Sequence, residues 1–74
     1  MRTIRAKLAY YLLKESAGKP LFRLKASKEE IARLFSVSRP ALVKVMMEMA
    51  ADGIIEVDRR DILIKDRIAL QKMF

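Results

Sequence analysis

Apolar residues recur at helical spacing along the first quarter of the chain. Ile4, Leu8, Tyr11 and Leu12 fall on one side with Glu15 in the last turn, Leu13 and Ala17 widen the stripe, and Gly18 stands where a helix would stop. This pattern predicts a helix over residues 2–17, with Thr3 as its sole candidate cap. The period then changes. After Lys19-Pro20, the run Leu21-Phe22-Arg23-Leu24-Lys25 alternates, with Phe22 and Leu24 on one face, as in a half-buried strand. Ser27 opens a capping box with Glu30, and Ile31, Leu34 and Phe35 follow at helical spacing. Ser36-Val37-Ser38 interrupts them. Ser38 can cap a further helix whose buried stripe is Leu42, Val45, Met46 and Met49, and Gly53 closes it. Met46 and Met49 read as flexible core filler.

Ile54–Asp58 and Ile62–Lys65 are two β-rich runs joined by Arg59-Arg60-Asp61, a hairpin without the Asn-Gly signal. Asp66 can cap a last helix, Arg67 to Met73, anchored by Ile68 and Leu70. The order of elements is that of a winged helix-turn-helix. It is an α+β, mainly helical domain with three main helices, a small antiparallel sheet near 21–25, 54–58 and 62–65, and a short C-terminal helix. The 74 residues divide into an opening helix (1–18), a helix-turn-helix (27–53), a wing (54–65) and a terminal helix (66–74). Ala32 supplies the small residue that close helix packing needs, and Val37 the apolar plug of the turn. Ser36 occupies a turn position where glycine is usual; a positive φ there would cost serine of order 1 kcal/mol.

Composition narrows the chemistry. There is no cysteine and no histidine, which removes disulfides, thiolate metal sites, the commonest general base and the commonest zinc ligand. No glycine-rich phosphate loop or inward-facing carboxylate pair replaces them, so the chain reads as a non-enzyme with no cofactor of its own. No apolar run reaches the roughly 18 residues of a membrane span and no signal-peptide pattern opens the chain, so a cytoplasmic location is expected. The net charge of +7 is uneven: residues 1–47 hold eleven Lys/Arg against three Asp/Glu (+8), residues 48–74 five against six (−1). A basic helix-turn-helix half suits a polyanion, although many small domains are basic simply for solubility. Arg2, Arg5 and Lys7 crowd the positive end of the first helix dipole. Either that helix continues into a region preceding residue 1, or these cations approach phosphates.

From Lys25 to Asp66, the run K-A-S-K-E-E-I-A-R-L-F-S-V-S-R-P-A-L-V-K-V-M-M-E-M-A-A-D-G-I-I-E-V-D-R-R-D-I-L-I-K-D resembles the C-terminal DNA-binding domain of the Crp/Fnr transcription regulators. Its most specific parts are the small residue after Ile31, the Val37-Ser38-Arg39 start of the second helix, and the Gly53-Ile54-Ile55 step into the wing. Residues 2–17 resemble the helix that opens that domain. The resemblance implies binding to double-stranded DNA at a palindromic operator, a homodimer in a full-length protein, and RNA polymerase as a further partner. It also implies that the effector-binding β-barrel and the dimerisation helix of such regulators are absent from this chain; Met1 leaves open whether the chain is a fragment or a short gene.

The outward face of the second helix holds Ser38, Arg39, Pro40, Val43, Lys44 and Met47. N-terminal residues of a groove-bound helix reach base edges. Arg39 sits there, and its fork can bond guanine O6 and N7 together; the resemblance gives the matching arginine that role. Pro40 departs from the family, which has glutamate there, so the family's half-site does not carry over. Proline is tolerated in a first turn, and it is expected to push Arg39 towards extended backbone. Lys44 can reach guanine or phosphate as a point donor, and Val43 either meets a thymine methyl or is incidental. Ser27, Lys28 and Ser38 at helix N-termini, with Arg59 and Arg60 at the wing tip, are candidate backbone contacts; ordinary capping and solvation compete for each. A winged helix can also serve protein–protein contact without groove binding. Val43 and Met47 lean mildly that way, Arg39, Lys44 and Ser38 towards DNA.

Overall fold

The side chains expected to cap the helices, Thr3, Ser27, Ser38 and Asp66, do so, although the first helix opens at Ile4 and not earlier. The computed structural model describes residues 3–74; Met1 and Arg2, the expected first residue of the opening helix, fall outside them. Helix α1 spans Ile4–Ser16, α2 Lys28–Leu34, α3 Arg39–Ala51 and α4 Arg67–Gln71. Thr3 Oγ1 accepts from the Ala6 N–H at 3.0 Å, Ser27 Oγ from Glu30 at 3.2 Å, Ser38 Oγ from Ala41 at 3.2 Å and Asp66 Oδ1 from Ala69 at 3.0 Å. At α2 the Ser27 N–H also donates to Glu30 Oε1 at 3.2 Å, completing the capping box. That backbone bond, then the Ser27 hydroxyl, holds the Glu30 carboxyl below its usual range.

Helices α2 and α3 end alike. Ser36 N–H donates to Arg33 O at 3.1 Å and Val37 N–H to Ala32 O at 2.9 Å; Gly53 N–H donates to Ala50 O at 3.0 Å and Ile54 N–H to Met49 O at 3.1 Å. Both are Schellman closures around a left-handed residue, Ser36 at φ 59° and Gly53 at φ 76°. The strain conditionally expected at Ser36 is present. Ser36→Gly should therefore stabilise the domain by up to about 1 kcal/mol: relief of roughly 1–2 kcal/mol of left-handed strain, partly offset by roughly 0.5–1 kcal/mol of extra chain freedom. A thermal melt would rise by about 4–8 °C per kcal/mol, and an unchanged or lower midpoint would contradict the assignment. At the end of α1 the first left-handed residue is Ala17 (φ 51°), ahead of the expected stop at Gly18 (φ 84°). Ala17 is exposed and does not widen the apolar stripe.

Three antiparallel strands, β1 (Leu21–Arg23), β2 (Ile55–Asp58) and β3 (Asp61–Ile64), form a sheet in the order β1-β3-β2. Phe22 pairs with Ile62, Val57 with Ile62 and Ile55 with Ile64, so these residues share the inner face. The wing turn is shorter than expected. Arg59 and Arg60 alone bridge the strands, with Arg59 at φ 58°, the positive φ that a two-residue hairpin requires. Asp61 starts β3 rather than joining the strands. It lies opposite Asp58 in β2, a like charge, and opposite Arg23 in β1, a charge of the other sign.

Leu8, Leu12, Ile31, Leu42, Met49, Ile55, Ile62 and Leu70 are almost wholly buried in one core. Three expectations shift. Leu34 is 67% exposed, because α2 buries the arc Ile31, Ala32 and Phe35 and Leu34 lies beyond its edge. Ile68 is 64% exposed; it stands about 200° around the helix from Leu70, and both cannot face the core. On α1 the seam includes Ala6, Ala9 and Ser16, small residues that carry little hydrophobic signal. The buried Ser16 Oγ donates to Leu13 O at 2.7 Å and accepts from Arg67 Nη1 at 3.4 Å, which ties α4 to α1.

Candidate nucleic-acid interface

The pair α2–α3 fixes which side of α3 faces out. Leu42, Met46 and Met49 are 0–2% exposed and lock the inner stripe. On a 3.6-residue helix the opposite side is then Pro40, Lys44, Met47 and Ala51, with Val43 at its margin. Met47 and Lys44 are exposed and Val43 is half-buried. Arg39 is the first helical residue rather than extended, and Ser38 takes the extended conformation before it (φ −74°, ψ 153°). The conformational bias imposed by Pro40 is overridden by the Ser38 cap. Pro40 itself loses no bond, since N–H groups in a first turn have no intrahelical partner.

Beside α3 the capped start of α2 and the wing tip enclose a concavity of about 460 Å³, lined in part by Ser27, Lys28, Glu29, Arg39, Arg59 and Arg60. Five of the sequence-derived candidates thus meet at one place. Four cations surround it against the single carboxylate of Glu29. Lys28 Nζ lies 3.5 Å from Arg59 O and bridges α2 to the wing. The Ser27 and Ser38 hydroxyls accept cap bonds, so each keeps its own proton to donate outwards. Lys44 and Val43 stand apart from this bowl, in a shallow depression with Pro40, Met47, Glu48 and Ala51. Val43 also joins Met47, Val57 and Arg59 in the cleft between α3 and the wing.

Sequence reasoning left out Glu29, which lowers the charge of the bowl, and the partners of the early cations. Arg5 Nη2 pairs with Asp52 Oδ2 at 3.1 Å, and Lys7 Nζ donates to Phe35 O at 3.2 Å. Both cations therefore sit against the C-terminal ends of α3 and α2, where helix dipoles favour them. The partners lie 47 and 28 residues away in the chain, beyond any local spacing rule.

A family model of the Crp-like helix-turn-helix domain matches residues 6–73. No curated protein matches the chain significantly. Among solved structures it is similar to the CO-dependent transcription factor CooA of Carboxydothermus hydrogenoformans, with TM-score 0.81, 25% identity, and coverage of 93% of this chain and 35% of that one. A CRP-family transcriptional regulator of Thermus thermophilus gives TM-score 0.80 and 26% identity over 99% of this chain and 40% of that one. FixK2 of Bradyrhizobium japonicum, at 17% identity, shares the fold: TM-score 0.87, over 96% of this chain and 38% of that one. The chain thus spans well under half the length of each of these three.

Proposed function

The chain belongs to the Crp-like helix-turn-helix family and is a DNA-binding regulator domain, and from that premise we propose how it binds. Helix α3 enters the major groove. Arg39 reads a guanine, Lys44 and Val43 contact neighbouring base edges, and Ser27, Lys28, Ser38, Arg59 and Arg60 hold the flanking phosphates. The observation that carries this reading is the cationic bowl joining α2, α3 and the wing tip, because a backbone clamp of that kind sets the register of the reading helix. Two copies would read half-sites about one helical turn apart in a palindrome. A homodimer assembled through a longer chain, contact with RNA polymerase and a cytoplasmic location complete the proposal. Among the described residues no helix is long and apolar enough to cross a membrane. No catalytic step and no bound cofactor enter into it.

Titration of a labelled duplex across a salt series tests this reading. Affinity should fall steeply with salt, the log–log slope counting the phosphates neutralised. Arg60→Ala should weaken every sequence alike and reduce that slope by about 1. Absence of binding to any duplex at low salt would overturn the reading in favour of protein contact through the same face.

A further inference from the structure

The outward face of α3 carries apolar groups around Lys44. Met47 is 67% exposed and lines one shallow depression with the half-buried Val43 beside it and Pro40 two turns back. Positions 40, 43, 44 and 47 have the i, i+3, i+4, i+7 spacing with which a helix lying along a groove meets base edges. Pro40 and Met47 are two turns apart, about 10 Å along the axis, or about three base steps at 3.4 Å each. Beside the carboxylate of Glu48, which shares the depression, four cations frame the ridge: Lys44 in the same depression, Lys28 and Arg59 in the adjoining cleft, and Arg39 at the helix start. An apolar partner protein would have to bring carboxylates to all of these. DNA brings phosphates to the frame and leaves the groove floor to the ridge. The groups that project apolar surface from that floor are thymine methyls.

We propose that Met47, together with Val43 and Pro40, packs on thymine C5-methyl groups, making Met47 a specificity-determining residue. This rests on the groove-binding reading above. The bound site then carries thymine opposite Met47 and Val43, inward from the guanine read by Arg39.

The test selects duplexes from a random pool with the 74-residue chain and then replaces each selected thymine by deoxyuridine, which lacks only the methyl. Wild-type protein should lose about fourfold in affinity per contacted methyl. Met47→Gln, an exposed substitution that leaves the core untouched, should lose that sensitivity at one thymine while keeping the wild-type salt slope and guanine preference. Identical deoxyuridine penalties in wild type and Met47→Gln, or no penalty at any thymine, would overturn the inference and leave the groove-binding reading standing. Failure to enrich any sequence would remove both. Lost DNA enrichment with a protein captured through Met47 would assign the ridge to a protein partner and overturn it equally.

Discussion

Replacing Arg39 by alanine should flatten base preference at one position of the selected site while leaving the protein folded. A bidentate arginine–guanine pair is worth roughly 1–3 kcal/mol of discrimination, so the preferred base pair should lose roughly fivefold to 150-fold of its advantage over the other three. Among the described residues the one ion pair joins Arg5 to Asp52, so no carboxylate holds Arg39 and its loss breaks no internal bridge. Arg39 also borders the bowl that Lys28, Arg59 and Arg60 share. From there it could serve a phosphate instead of a base, and Arg39→Lys separates the two roles. A lysine keeps a point charge for phosphate but loses the planar fork. Base preference should therefore fall in Arg39→Lys nearly as far as in Arg39→Ala, with total affinity better preserved. Competition titrations against single-position variants of the site measure both quantities. Unchanged affinity and preference in Arg39→Ala would mean that α3 is not the reading helix.

Much of the scaffold was legible because it is written in local signals. Thr3, Ser27, Ser38 and Asp66 each cap the helix they precede, and a cap needs only the residues up to three positions ahead. The alternation at Phe22 and Leu24 and in the wing placed the sheet. What was misplaced depends on distant partners. Leu34 satisfies the helical period, and Ala32 packs inwards as read, but only the approach of α3 shows that the buried arc Ile31, Ala32 and Phe35 leaves Leu34 outside. Asp61 looks like a turn residue until Arg23 lies across from it. The α1 seam relies on Ala6 and Ala9, whose small side chains give weak periodic signal yet let neighbouring elements come close.

The interface divides in the same way. On α3, Lys44, Met47 and the marginal Val43 follow from helix geometry, since fixing the inner stripe fixes the outer one, whereas Arg39 owes its exposure to its place at the helix start. The bowl does not follow from helix geometry. Ser27 and Lys28 lie more than thirty positions from Arg59 and Arg60 in the chain, and only the packing of the wing tip against the start of α2 brings them around Arg39. Arg5 and Lys7 could be read from sequence as phosphate ligands. Packing gives them partners within the fold, Asp52 and the Phe35 carbonyl, that no local spacing rule shows. A basic total charge therefore does not say which cations are available to DNA.

The largest expected effect on stability comes from the residue behind the reading face. Leu42 is 0% exposed, sits one turn after the Ser38 cap and belongs to the central cluster. Leu42→Ala should cost about 2–5 kcal/mol from lost transfer energy and the cavity left behind. A domain of this size has roughly 4–11 kcal/mol in total, so the thermal midpoint should fall by about 10 °C or more. DNA binding below the new transition should keep the wild-type salt slope, because no cation has been removed. Duplex at 100 times its Kd should restore about 2.7 kcal/mol, by binding the folded state alone. A loss of affinity that disappears on cooling is therefore the signature of this substitution, whereas the loss of preference in Arg39→Ala persists at every temperature where the chain is folded. The two results are coupled through the geometry of one helix. If Leu42→Ala melted within a degree or two of wild type, Leu42 would not face the core. The helix would then be rotated, and Arg39, Val43, Lys44 and Met47 would turn away from the groove together.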